Sequence, residues 1–91
     1  MSQEILDDLI DELAESEQEE LPSILEKVLY FNFLDDTQLS TLLDLDLTDI
    51  DELLTSAEHL TVKEWKLYRK RILASLKKER KRYERLYYKS E

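Results

Sequence analysis

The sequence predicts an all-α protein, a small bundle of four to five helices with a long C-terminal helix projecting from it. The 91 residues include no glycine and one proline, so hairpin turns and phosphate-binding loops lack the residue type that forms them. Apolar side chains also recur three and four residues apart along most of the chain, which is the spacing of one helix face. A chain of this length has room for one small core.

The first two predicted helices are separated by a polar stretch. Residues 15–20 (ESEQEE) contain no apolar side chain and predict a frayed helix end or a linker. The apolar stripe of the first helix comprises Ile5, Leu6, Leu9, Ile10 and Leu13. That of the second comprises Ile24, Leu25, Val28 and Leu29, followed by the aromatic residues Tyr30, Phe31 and Phe33.

Short polar segments mark the starts of three further helices. Asp36 is the predicted N-cap of the third helix and Thr48 that of the fourth. Thr61 and Glu64 have the spacing of a capping box, so a long fifth helix begins near Val62. The inward residues are Leu39, Leu42 and Leu43 in the third helix and Ile50, Leu53, Leu54 and Ala57 in the fourth. In the fifth they are Trp65, Tyr68, Ile72, Leu73 and Leu76, then Tyr83, Leu86 and Tyr87.

Charge is divided unevenly along the chain. Residues 1–62 carry 18 acidic side chains and one basic one, Lys27, for a net charge of −17. Residues 63–91 carry four acidic and 12 basic side chains, for a net charge of +8, which gives −9 in total. We therefore expect an acidic helical bundle over residues 1–76, which includes the start of the last helix, and a basic helical extension over 77–91. Such asymmetry indicates binding to another macromolecule, or attraction between the two halves.

Several function classes have no support in the composition. The chain has no cysteine, which excludes disulfides, zinc ribbons and thiol catalysis. His59 is the only histidine and lies in a polar stretch, so we expect a surface residue. We expect no catalytic residue, no cofactor and no metal site, and therefore no enzyme. The acidic start of the chain and the short apolar runs predict a cytoplasmic protein with no membrane partner.

Residues 39–53 (LSTLLDLDLTDIDEL) resemble the helix-turn-helix pattern of small DNA-binding regulators. Ser40 fits the small position, Ile50 fits the apolar anchor, and Asp44 replaces the turn glycine. The second helix of the segment would present carboxylates outward, and these would repel DNA phosphates. The surface is better suited to docking a protein, or to imitating a phosphate backbone in the cleft of a DNA-binding protein.

The predicted protein-binding residues are the carboxylates of the first helix and of this segment. Such a surface would dock a basic protein partner, although an ordinary solvated helix face has the same pattern. The residues are Asp7, Asp8, Asp11, Glu12, Glu15, Asp46, Asp49, Asp51 and Glu52.

An alternative site is the basic run of residues 77–89 (KKERKRYERLYYK), in which aromatic residues alternate with cations. That pattern suits a nucleic-acid backbone, a helix that lies on its own acidic body, or one that lies on a second copy in a homodimer. The predicted nucleic-acid contacts are Lys77, Lys78, Arg80, Lys81, Arg82 and Arg85, with Tyr83, Tyr87 and Tyr88 among them.

Three functions follow from these patterns. The first is a small acidic protein-binding regulator or adaptor, of which an inhibitor of nucleic-acid-binding machinery is one form. The second is a nucleic-acid-binding module that uses the basic C-terminal helix. The third is a structural subunit of a larger assembly.

Overall fold

Five α-helices joined by short connections make up residues 2–89. A computed structural model describes the backbone of these residues and the side chains of residues 3–85. The helices are α1 (Ser2–Glu15), α2 (Leu21–Tyr30), α3 (Asp36–Leu43), α4 (Leu47–Thr55) and α5 (Val62–Lys89), with a 3-10 turn at Gln18–Glu20. The predicted all-α fold with a long C-terminal helix is confirmed.

The long helix α5 is the support against which α1 and α3 pack, while α2 lies between α1 and α4. Asp7, near the start of α1, lies beside Arg80. Gln18, just beyond the other end of α1, is bonded to Leu60, just before α5. The two helices therefore run antiparallel. At about 1.5 Å per residue α5 is about 42 Å long, which accounts for most of the 47 Å longest dimension.

One hydrophobic core lies between these helices, and it contains most residues of the predicted stripes. The predicted residues that are only partly buried and pack against its edge are Ile5, Leu29, Leu42, Leu54, Leu73 and Tyr83. The side chains predicted to continue the last stripe, Leu86 and Tyr87, lie outside the described residues. The largest fully buried side chains are Leu6, Leu13, Leu21, Ile24, Leu25, Val28, Leu39, Ile50, Leu53, Ile72 and Leu76.

The N-cap of α3 is Asp35, one residue before the predicted Asp36. The Asp35 carboxylate accepts the Gln38 N–H at 2.8 Å, and the Gln38 side chain accepts the Asp35 N–H at 2.9 Å. A cap residue needs an extended backbone, and Asp35 has one (φ −100°, ψ 175°). Asp36 already lies within the first helical turn.

The N-cap of α4 is Asp46 rather than the predicted Thr48. Its backbone is extended (φ −81°, ψ 172°), and its carboxylate accepts the Asp49 N–H at 2.8 Å.

The predicted capping box at the start of α5 is confirmed. The Thr61 hydroxyl accepts the Glu64 N–H, and Glu64 accepts the Thr61 N–H.

The segment after α1, predicted as a frayed end or linker, is anchored to the body. The hydroxyl of Ser16, which is buried, donates to the Leu13 carbonyl at 2.8 Å. The Gln18 amide donates to the carbonyls of Ala57 at 2.7 Å and Leu60 at 2.8 Å. One side chain thus joins the connection after α1 to the connection before α5, so the segment is a linker between two helices, and it is held in place by hydrogen bonds.

Replacement of this side chain by Gln18→Ala should lower the free energy of unfolding by about 1–2 kcal/mol, because two partly buried carbonyls lose their donor. Urea denaturation followed by circular dichroism measures the change. The matched control is Glu19→Ala, since Glu19 is the exposed neighbour in the same turn. Equal effects of the two substitutions would contradict the anchoring role of Gln18.

Candidate interaction site

The outer face of α1 carries the exposed carboxylates of Glu4, Asp8, Asp11 and Glu15, and we call the three that were predicted, Asp8, Asp11 and Glu15, the acidic stripe. Residues three, four and seven apart lie on one face of a helix, and this face is opposite the buried Leu6 and Leu13. None of the ion pairs within residues 3–85 includes a residue of the stripe. The three carboxylates are therefore exposed to solvent and free of ion pairs with the described side chains.

The other two predicted carboxylates of α1 lie on its flanks and face neighbouring helices. The Asp7 Oδ1 atom is buried without a hydrogen-bond donor among the described residues, 3.7 Å from Nη1 of Arg80 on α5. Both carboxylate oxygens of Glu12 accept hydrogen bonds from Lys27 Nζ on α2 at 3.1 Å. Both pairs are partly exposed as whole side chains, and such pairs contribute about 0–1 kcal/mol each. The orientation of α1 is set instead by its apolar face, in which Leu6 and Leu13 are fully buried.

The helix-turn-helix-like segment forms two helices, α3 and α4, joined by residues 44–46. Asp44 has a left-handed backbone (φ 57°, ψ 46°), the conformation for which a turn usually employs glycine. The Ser40 hydroxyl donates to the Leu45 carbonyl across the turn. Ile50, the predicted anchor, is buried. The turn thus forms without glycine, since aspartate adopts this conformation more readily than most residues.

The four predicted carboxylates of this segment have different surroundings. Asp46 caps α4 and Asp51 is exposed on its outer face. Asp49 and Glu52 line a groove of about 240 Å³ between α4 and the first turns of α5. The complete lining of this groove, which we call the acidic groove, is Leu45, Asp49, Glu52, Leu53, His59, Leu60, Glu64 and Tyr68.

Tyr68 and Glu64 are two groove residues that were not assigned to a site from the sequence. Tyr68 is only 6 % exposed, and its hydroxyl has no hydrogen-bond partner among residues 3–85. Burial raises the pKa of the Tyr68 hydroxyl, and the Glu64 and Asp49 carboxylates raise it further. The hydroxyl therefore stays protonated near two carboxylates. Its place in the helical repeat predicts Tyr68 to be a core residue. Only its position, four residues after Glu64, indicates that the two side chains share a face of the helix.

The capping box fixes Glu64 at the rim of the groove. The backbone N–H of Thr61 donates to Glu64 Oε1 at 2.9 Å, and this bond is the main reason that the pKa of the Glu64 carboxyl is lowered. A lowered pKa in the folded state means that the charged carboxylate stabilises the fold. That stabilisation is present above the pKa of the unfolded state, about 4.3, and is lost as the pH falls through the folded-state value.

The substitution Glu64→Gln keeps an oxygen acceptor for Thr61 and removes the charge. We expect the variant to be less stable than the parent near neutral pH, and the difference to shrink as the pH falls below about 4.3. Urea midpoints measured across this range give the difference directly. A difference that stays constant down to the acid end would show that the charge of Glu64 has no part in the cap.

The basic segment comprises the predicted nucleic-acid contacts Lys77, Lys78, Arg80, Lys81, Arg82 and Arg85, all within α5. Arg80 points to Asp7, and Arg82 Nη2 lies 3.0 Å from Glu79 Oε1 on the same helix. The other four cations are exposed and form no ion pair within the described part of the chain. The side chains of Tyr87, Tyr88 and Lys89 lie outside the described residues. Thus α5 packs on α1 mainly through apolar side chains, and most of its charge is directed to solvent.

An exposed aromatic pair lies at the end of α2. Tyr30 is 78 % exposed and Phe31 is 38 % exposed, and their rings meet edge to face with centroids 5.0 Å apart. Asn32 then adopts a left-handed backbone (φ 61°), after which Phe33 is buried. Two of the three aromatic residues at the end of α2 are therefore exposed, and the third belongs to the core.

Comparison of this chain with protein-family models, with curated proteins and with solved structures finds no match. None of the helices formed by residues 2–89 has an apolar stretch long enough to cross a membrane. Within the described residues, His, Asp and Glu side chains form no group of three arranged to hold a metal ion.

Proposed function

We propose that this protein is a small regulator or adaptor that binds a basic protein partner through the acidic stripe of α1 and the carboxylates of α4. The observation that supports this most strongly is the exposure of Asp8, Asp11 and Glu15, which form no ion pair with a cation of residues 3–85. A surface of one charge sign accelerates association with a surface of the opposite sign, and salt weakens the effect.

The spacing of the stripe favours one kind of basic partner. Its three carboxylates span about 10 Å along α1, or about one charge every 5 Å. One strand of DNA carries a phosphate every 3.4 Å or so along the duplex axis. The two spacings are of the same order, so a protein surface that binds nucleic acid can pair with the stripe. Inhibition of nucleic-acid-binding machinery is therefore the specific regulatory role that we propose.

The second candidate is a nucleic-acid-binding module, and the exposed cations of the basic segment favour it. Lys77, Lys78, Lys81 and Arg85 can reach phosphates while the acidic stripe faces elsewhere. Packing of α5 on α1 does not remove this candidate, because Arg80 is the one member of the segment paired with α1 among the described side chains.

Fluorescence anisotropy with two labelled probes separates the two candidates. One probe is a short peptide rich in lysine and arginine, and the other is single-stranded DNA. We expect the peptide to bind at low salt and to dissociate as the ionic strength approaches the physiological range, where the screening length is about 8 Å. We expect much weaker binding of the DNA. Tighter binding of the DNA than of the peptide would overturn the proposal in favour of the basic segment.

A further inference from the structure

The outer face of α5 is basic along most of the helix. Exposed lysines recur seven and four residues apart on the side opposite the buried Ile72 and Leu76, and none of them forms an ion pair with a described side chain. They are Lys63, Lys70, Lys77 and Lys81, and we call the last three the lysine stripe. This helix face therefore lacks a partner of opposite charge within residues 3–85.

The exposed carboxylates of the neighbouring helix, α1, have intervals that match the lysine stripe. Three of them follow one another from Glu4 at intervals of four and then seven residues, and the lysines follow at the same intervals from Lys81 backwards. Two antiparallel helices with these intervals therefore place three pairs of opposite charge face to face. The pairs are Glu4 with Lys81, Asp8 with Lys77, and Glu15 with Lys70. The fourth carboxylate, Asp11, would lie opposite the exposed Ala74.

These pairs do not form within one chain. Although α1 and α5 pack against each other, each charged face lies on the side of its helix opposite the core, so the side chains project outward and not toward each other. The ion pair that joins the two helices among the described residues lies on their flanks, where Arg80 is 3.7 Å from Asp7. Pairing of the two outer faces therefore requires a second molecule.

We infer that the lysine stripe binds the acidic face of α1 in a second copy of the chain, and that a two-fold axis repeats the contact. An axis parallel to the helices places α1 of each copy antiparallel to α5 of the other and preserves height along the axis. Because Asp7 is level with Arg80, Asp8 is offset from Lys77 of the other copy by two residues, or about 3 Å. A lysine side chain is long enough to span this offset.

A second copy suits the lysine stripe better than nucleic acid does. The axes of packed helices are about 8–10 Å apart, so phosphates bound to α5 would lie close to the carboxylates of α1 and be repelled by them. In the dimer, both charged faces of each copy meet a face of opposite sign. Exposed ion pairs are individually weak, and the net charge of −9 on each chain opposes association. The dimer is therefore weak, reversible and sensitive to salt.

The dimer would cover the acidic stripe and so regulate the docking surface proposed above. A basic protein partner and a second copy would compete for the same carboxylates, so the partner would bind the monomer. This consequence rests on the proposed function, whereas the dimer rests only on the charges and intervals of the two faces. Failure of a lysine- and arginine-rich peptide to bind even the dilute, monomeric chain would contradict the proposed function and leave the dimer in place.

Sedimentation equilibrium of the full chain over a wide range of concentrations tests the dimer. We expect the mean mass to rise from that of one chain, 10.9 kDa, toward twice this value. It should return to that of one chain at about 1 M salt, where the screening length is about 3 Å. A mass of one chain at every concentration would overturn the inference and leave the proposed function in place. A mass that rises beyond two chains would contradict the two-fold arrangement.

Two charge-reversed variants test which faces pair. One carries Asp8→Lys, Asp11→Lys and Glu15→Lys, and the other carries Lys70→Glu, Lys77→Glu and Lys81→Glu. Each variant alone presents two faces of mostly like charge, so we expect its dimerisation to weaken at least about tenfold. An equimolar mixture restores opposite charges at both contacts, and we expect dimers with one copy of each. Both variants keep a negative net charge, so general attraction does not explain such dimers. A mixture that stays monomeric would overturn the inference.

Single substitutions at adjacent residues test the register. Lys77→Glu should weaken dimerisation at least about tenfold, because the two-fold axis repeats the change at both contacts. The matched control, Lys78→Glu, makes the same change at an exposed neighbour outside the lysine stripe, and we expect a much smaller effect. Equal losses would overturn the register. Single-stranded DNA that binds the parent and not the Lys70→Glu, Lys77→Glu and Lys81→Glu variant, with no change in mass, would assign the stripe to nucleic acid and overturn the inference.

Discussion

Leu76→Ala is expected to lower the free energy of unfolding by about 2–5 kcal/mol. Leu76 is fully buried in α5 where this helix contributes to the core. Truncation removes apolar surface from the core and leaves a cavity that neighbouring helices fill only in part. Because small domains are stable by about 5–15 kcal/mol in total, a loss of this size threatens the fold itself.

Leu67→Ala is the matched control, since it makes the same chemical change on the same helix at a site that is 42 % exposed. Its expected cost is below about 1 kcal/mol. Urea denaturation monitored by circular dichroism measures both variants. In this orientation of α5, Leu76 faces the core and Leu67 faces solvent. Similar losses in the free energy of unfolding for Leu67→Ala and Leu76→Ala would contradict it.

Reversal of the acidic stripe by Asp8→Lys, Asp11→Lys and Glu15→Lys together should weaken binding of a lysine- and arginine-rich peptide at least about tenfold at low salt. The substitutions change the charge of one helix face by six units, so attraction becomes repulsion. The difference from the parent should decrease as salt is added, because exposed charges are screened. All three side chains are exposed, so the fold should persist, and circular dichroism checks this.

A second triple variant separates the stripe from the net charge. Glu19→Lys, Glu26→Lys and Glu58→Lys change the total charge equally at exposed sites outside the stripe. We expect this variant to lose much less peptide binding than the stripe variant does. Equal losses in the two variants would mean that the whole acidic body attracts the peptide and that α1 presents no particular surface.

The helices and the core could be predicted from the sequence because they depend on local periodicity. Leu6, Leu13, Ile72 and Leu76 repeat at helical spacing, and all four are fully buried. The capping box of Thr61 and Glu64 was predicted for the same reason, since it depends on two residues at a fixed spacing.

The other two caps were misplaced because several adjacent residues can perform the same role. Asp35 and Asp36 are equally good cap residues by type, and Asp46 and Thr48 are both of types that commonly cap helices. Only the extended backbone at Asp35 and Asp46 distinguishes them, and sequence type alone does not specify that backbone.

The acidic groove and the anchoring by Gln18 depend on contacts between distant segments. Gln18 bonds to carbonyls 39 and 42 residues further along the chain. Tyr68 has the periodicity of a core residue, and it lines the groove only because the fold places the first turns of α5 opposite α4. No local sequence pattern indicates that two distant segments lie close together. The acidic faces could therefore be predicted from the sequence, but the hollow between them could not.

The most direct test of the proposed function is affinity capture from native lysate with the tagged parent and the two triple variants, with and without nuclease, followed by mass spectrometry. We expect a protein partner that is still recovered after nuclease treatment and dissociates at high salt. The stripe variant should lose this partner, and the matched variant should retain it. Recovery of proteins that all disappear after nuclease treatment, or full retention of the partner by the stripe variant, would contradict it.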